Sequence, residues 1–220
     1  MAIQTTLPDP NNRISIAGDN ASGSFGPGFS SVTLKSNQPV VSNKSNSGLS
    51  FRSIVKYHQW ELDIKYNDLT KADFNIIYPF LLERQQTQEA FFVELPQYGN
   101  AVAATIQVNT SNSSGLGAGK NEIPLIGTAI NNINMGDMFD LINSNDSLHL
   151  KAYKVTKVDT TNNKIFFSPG LQRGCAQNDT VTASFTRPRI RVRVKGAMLT
   201  YQVKANGLYT FSVNVEEALA

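Results

Sequence analysis

Side chains able to do chemistry are few in this sequence, and their spacing does not suit them to it. The two histidines, His58 and His149, stand far apart, and neither has an i, i+4 partner or a carboxylate at zinc-ligand spacing. His58 precedes Gln59 and Trp60 at a strand start, and His149 adjoins an Asn/Ser turn, so both are expected as surface or turn residues. Cys175 is the only cysteine, which excludes an intramolecular disulfide and a cysteine-based zinc site. Neither a G-x-S-x-G elbow nor a P-loop occurs. The run Gly115-Leu116-Gly117-Ala118-Gly119, ending in Lys120, lacks the strand-to-helix setting that cradles phosphate and reads as linker. Two carboxylate pairs remain, Glu61 with Asp63 and Glu216 with Glu217. Glu61 and Asp63 share one side of a strand at about 7 Å, an arrangement commoner on a solvated face than in a glycosidase. No constellation meets the geometric requirements of an active site, so the expectation is a protein that is not an enzyme, with no catalytic, metal-binding or cofactor-binding residue and no cofactor.

One charged pattern is distinctive. From Arg187 to Lys195 every odd position is cationic (Arg187, Arg189, Arg191, Arg193, Lys195), and the even positions are Pro188, Ile190, Val192 and Val194. On a strand this lines five positive side chains along one face, neighbours about 7 Å apart. They repel one another unless water or acids compensate them. A solvated face is one account. The other is an acidic partner: the Glu61/Asp63 face, the Glu216/Glu217 end, a neighbouring subunit, or a nucleic-acid backbone passing through a lumen. A strand without aromatics on that face reads bases poorly, so subunit contact leads.

The elements that must position these residues are mostly strands. Gln59 to Tyr66 puts Trp60, Leu62, Ile64 and Tyr66 on one side and Glu61, Asp63 and Lys65 on the other, the alternation of a half-buried strand. Short strands are also expected at Ser31 to Lys35 and Gln38 to Val41. Thr70 with Asp73 opens a helix over 70–86, whose apolar stripe is Phe74, Ile77 and Leu81, widened by Ile76, Phe80 and Leu82. Pro79 should kink or divide it. Ala90 to Pro96 reads as a buried strand ended by its proline. Thr110 to Gly119 reads as a flexible connector, followed by short strands at Glu122–Ile126, Met138–Ile142, Leu150–Val158 and Lys164–Ser168, a spacing that suggests a small barrel or sandwich. Long strands return at Arg187–Lys195, Ala197–Val203 and Leu208–Val215, the last two joined at Asn206-Gly207. The partition expected is an N-terminal arm over 1–30, with one short strand candidate at Arg13 to Ile16; a core of 31–98 plus 186–220; and an inserted small β domain over 99–185.

Composition agrees with a β-rich chain and narrows its partners. Across 220 residues, 40% are hydrophobic and only 17% charged, with Asn, Ser and Thr filling the difference. A net charge of +3 is too small to argue for nucleic acid in bulk. No signal-peptide pattern and no apolar run of about 18 residues is present, which argues against secretion and membrane spanning.

The order of the pieces resembles the distal-tail and tail-hub (baseplate) structural proteins of tailed bacteriophages. The resemblance rests on Arg52 to Tyr66, Asn67 to Phe74, Ile76 to Arg84 and Phe91 to Pro96, then Met135 to Phe139, Lys151 to Thr156 and Gly207 to Leu219. It implies a mainly β, tail-tube-like β-sandwich with one flanking α-helix and an inserted small β-barrel or sandwich. It also implies a homo-oligomeric ring, commonly a hexamer, that joins the tail tube to tip, fibres or other baseplate proteins. DNA would pass through its lumen without specific binding. Such a protein is assembled in the bacterial host cytoplasm and resides in the virion, off the membrane. The alternative is a receptor- or carbohydrate-binding tail-tip or fibre module, which should display an exposed Trp or Tyr on a flat face. Trp60, the only tryptophan, is instead expected in the core. A virion-bound hydrolase is the weaker rival.

Overall fold

In the computed structural model the described residues are 6–8, 29–54, 57–95, 98–100, 103, 105–111, 116–127, 129–146, 149, 151–196 and 198–219. The strand candidate Arg13 to Ile16 and most of the arm lie outside them.

The alternating pattern of Gln59 to Tyr66 forms β4 (Gln59–Tyr66), whose Leu62 and Ile64 are fully buried. Around it an antiparallel sheet assembles in the order β1 (Phe29–Asn37), β4, β14 (Tyr209–Glu217), β12 (Arg189–Val194), β5 (Phe91–Glu94), with the short β13 (Tyr201–Val203) beside β14. Strands distant in sequence thus become neighbours: Val213 lies opposite Ile64, and Val192 opposite Phe91. At the β5 edge Leu7 is buried and its N–H donates to the Phe92 carbonyl, so residues 6–8 cover an edge that would otherwise be open.

Helix α1 (Lys71–Thr87) lies over the apolar face of this sheet, with Phe74, Ile77, Phe80 and Leu81 inside. Thr70 caps it, its Oγ1 accepting from the Asp73 N–H at 3.3 Å. Of the two outcomes expected at Pro79, a kink or a division, division does not occur: the helix runs through it as one element, with the ring on the exposed side. One expectation needs correction. Ile76 and Leu82 do not join the core stripe. They are 50% and 41% exposed, since at 100° per residue they fall about 100° and 140° round the helix from Ile77, outside the buried stripe.

The second body is a six-stranded sheet in the order β6 (Thr105–Gln107), β11 (Val181–Ser184), β8 (Met138–Asn143), β9 (Ala152–Asp159), β10 (Lys164–Ser168), β7 (Glu122–Pro124). Its end strands meet through a Val108–Leu125 bridge, with Ile126 N–H donating to the Gln107 carbonyl, so the sheet closes on itself as a small barrel. Phe139, Tyr153, Phe167 and Phe185 fill its interior at ring separations of 5.0–5.6 Å. The fold class is therefore mainly β, a β-sandwich with one flanking helix, as expected. The connector over Thr110 to Gly119 is pinned at its end: Leu116 is buried and exchanges two backbone hydrogen bonds with Cys175.

A hairpin stands apart from both bodies. β2 (Val40–Lys44) pairs only with β3 (Ser50–Ile54), and every residue of β2 is exposed.

Candidate functional site

β12 carries the cationic row as the alternation requires. Ile190 and Val192 are fully buried, which turns the odd positions to the opposite face. The acids that meet this row come from its own chain. Lys195 Nζ sits 2.7 Å from Glu61 Oε2 across β14, and this hydrogen bond holds the Glu61 carboxyl below its usual range. Arg187 reaches Glu94 at 3.8 Å. Arg189 donates through Nε to Asp140 Oδ2 at 3.2 Å and lies 5.4 Å over the Phe92 ring. Asp140 belongs to β8 of the barrel, so this contact joins the two bodies. Burial pushes its carboxyl up to about 6, against the pull of Arg189.

The remaining members divide. Asp63 pairs with Lys35 of β1 at 2.5 Å. Glu216 lies between Glu61 and Arg193 in the strand register. The Arg191 and Arg193 side chains make no hydrogen bond or ion pair among the described residues, although Glu216 stands directly across from Arg193 in the strand register.

Glu217 turns the other way. It is 2% exposed, and its Oε2 accepts from Lys151 Nζ at 2.5 Å and from the Trp60 N–H at 3.0 Å. Lys151 also donates to the His58 carbonyl, and the Trp60 indole N–H donates to the Ala152 carbonyl, both at 2.9 Å. Residues 151 and 152 enter β9 of the barrel, whereas Trp60 and Glu217 belong to the first sheet. A buried ion pair therefore rivets one body to the other, beside an open cleft of about 910 Å³. Burial raises the Glu217 carboxyl and lowers the Lys151 ammonium.

The histidines are not surface residues. His58 is buried edge-on against Trp60, ring centroids 4.6 Å apart, and bonds to Ser36 Oγ. Burial, helped by the Lys151 charge, lowers its pKa to about 4. His149 is buried in the barrel, its Nε2 3.1 Å from the Tyr153 hydroxyl. Both were misjudged because a polar flank in sequence says nothing of the body that folds over it. Lys151 and Asp140 carried no sequence signal either: their partners lie 66 and 49 residues away.

Among the described residues no group of three His, Cys, Asp or Glu side chains could hold a metal, and no helix is long and apolar enough to cross a membrane. What the arrangement can do chemically is bind: it offers a charged sheet face, a rivet between two bodies and a protruding ribbon.

Residues 17–98 match the family described as the distal tail protein pb9, A domain, N-terminal. The chain is also similar to the distal tail protein pb9 of Escherichia phage T5, 28% identical over 144 residues, 63% of this chain. It spans 65% of the length of that relative. Both matches are to pb9, and they support the resemblance to phage distal-tail proteins read from the residues.

Proposed function

We propose that this chain is a structural protein of a tailed-phage virion, set in a homo-oligomeric ring, a hexamer, at the distal end of the tail. The ring joins the tail tube to the tip, fibres or other baseplate proteins and works by contact, without catalysis. The observation that carries this reading is the distal-tail match over 17–98, a segment that includes β1 to β5 and α1. The core of 31–98 plus 186–220, interrupted by an inserted barrel over 99–185, is part of the same reading, supported by two hydrophobic clusters, the first of which takes Met138 and Ala152 from the inserted segment. Trp60 is 6% exposed, which removes the aromatic platform a carbohydrate-binding tip would need at that residue.

Within this reading Arg187, Arg189 and Lys195 are neutralised by Glu94, Asp140 and Glu61 of their own chain, and Asp63 by Lys35. Arg191 and Arg193 are the cations left for acids of a neighbouring subunit. The native mass of the purified chain is expected to be a closed multiple of the monomer and to fall as salt rises, because exposed pairs are screened over about 8–10 Å. R191E/R193E should lower the ring fraction and leave the circular dichroism unchanged, as surface charge changes seldom unfold a domain. Rings of unchanged mass and salt response in that variant would put the row in solvent or at the lumen instead.

A further inference from the structure

The open cleft beside the buried ion pair is walled by both bodies. Gln38, Tyr57 and His58 come from the stretch between β1 and β4, and Lys120, Lys151 and Gln172 from the barrel segment. Its volume, about 910 Å³, lies within the range of about 300–1,000 Å³ that small-ligand sites occupy, and junctions between bodies are where such sites are commonest.

One polar atom in this wall is left over. His58 is 7% exposed and its Nε2 lies 2.9 Å from Ser36 Oγ, but its Nδ1 has no hydrogen-bond partner among the described residues. A buried nitrogen in that state costs stability until something completes it. The Ser36 hydroxyl can donate to Nε2 or accept from it, so Nδ1 can need either role, and a hydroxyl is the group that answers both. The neighbouring side chains suit the same class of ligand. Tyr57 is 42% exposed, and its phenol donates to Gln59 Oε1 at 3.0 Å, which holds the ring in place as an apolar surface for the C–H face of a sugar. The Gln38 carboxamide makes no hydrogen bond among the described residues, which leaves a donor and an acceptor side by side for vicinal hydroxyls.

The charge of the cleft has one sign. Its charged lining residues are Lys120 and Lys151, with no Asp or Glu beside them among the described residues. Lys151 is neutralised by Glu217, whereas Lys120 is exposed and its side chain makes no ion pair or hydrogen bond among the described residues. We propose that the cleft binds an acidic sugar, its ring against Tyr57, its hydroxyls on His58 and on the Gln38 and Gln172 carboxamides, and its carboxylate or phosphate on Lys120. The inference goes beyond the tail reading and does not depend on ring formation.

The test is saturation-transfer NMR on the full chain, with D-glucuronate, D-glucose 6-phosphate, D-glucose and inorganic phosphate as probes. Tryptophan emission is a second readout, because the Trp60 ring lies 4.6 Å from that of His58. At least one acidic sugar should receive saturation at its ring protons and bind at least about tenfold tighter than D-glucose, the gain from one charge-assisted hydrogen bond. Which of the two binds identifies the acid as carboxylate or phosphate. K120Q should reduce its affinity to that of D-glucose, and Y57A should abolish the transfer. Both variants should keep native circular dichroism, since both side chains are exposed. The same sugar should shift the tryptophan emission of wild type and leave that of Y57A unchanged. No transfer to either acidic sugar overturns the proposal, and transfer that survives both substitutions undiminished places the ligand elsewhere and overturns it too. D-Glucose bound as tightly as the acidic sugars contradicts the role given to Lys120. Inorganic phosphate that shifts the emission where no sugar binds would make the cleft an anion site and not a sugar site.

Discussion

Lys151→Met is expected to destabilise the chain by about 3–5 kcal/mol, read as a lowered midpoint in urea. The Lys151 and Glu217 side chains are 3% and 1% exposed, so removing the ammonium strands a buried carboxylate whose second oxygen, Oε1, already has no hydrogen-bond partner among the described residues. The loss is one of compensation and not of packing, because methionine fills similar volume. The double variant K151M/E217L should therefore recover most of the stability, as replacement of a whole buried ion pair by apolar residues is often close to neutral. The sign of the pH dependence follows from Glu217. Burial already raises its folded pKa above the unfolded one, and loss of Lys151 raises it further. The native carboxyl then binds a proton at a pH where the unfolded one has not, so the deficit of K151M relative to wild type is largest at neutral pH and shrinks as pH falls through that folded value. His58 works in the opposite sense in wild type, costing stability as pH falls from 6.5 toward about 4. Loss of the Lys151 charge also eases the depression of His58, so both groups shrink the K151M deficit as pH falls. A K151M midpoint within experimental error of wild type at pH 7 would mean that the two bodies are not riveted at this point.

Trp60→Ala should cost about 3–5 kcal/mol, the range for deleting a large buried aromatic. The indole is 6% exposed, packs with Leu62 and Ile64 in the first hydrophobic cluster, and meets His58 edge-on. Its N–H reaches the Ala152 carbonyl, so the substitution also orphans an acceptor at the junction with the barrel. Coupling to Lys151 is expected, since the indole N–H donates to the carbonyl of Ala152, the residue next to Lys151, at the same junction. W60A/K151M should lose less than the sum of the single losses. The wild-type tryptophan emission should be blue-shifted and resist aqueous quenchers. Red-shifted, easily quenched emission would contradict the burial and reopen a role for Trp60 as a binding platform.

The parts of this fold that were legible in the sequence are those where one strand or helix writes its own pattern. Trp60 to Tyr66 and Arg187 to Lys195 alternate cleanly because one face is packed and the other wet, and Thr70 with Asp73 marks a helix start through local hydrogen bonding. The short strands Ser50–Ile54, Thr105–Gln107 and Val181–Ser184 were not legible, since three to five residues hold too few periods to count. The assembly surface was only half legible. Five cations in a row were plain, but which of them form ion pairs depends on Glu61, Glu94 and Asp140 arriving from three other strands. The rivet was invisible for the same reason, because no local rule ties Lys151 to Glu217. Ile76 and Leu82 misled in a useful way: apolar residues that widen a helical stripe can lie outside its buried part, and here both are exposed.

The claim that the chain is a structural component of the distal tail is tested most directly on virions. Purified particles of the phage that encodes it, incubated with gold-labelled antibody raised against the full chain and viewed by electron microscopy, should carry gold at the tail end remote from the capsid. Particles without label, or with label on the capsid or along the whole tail tube, would contradict the account.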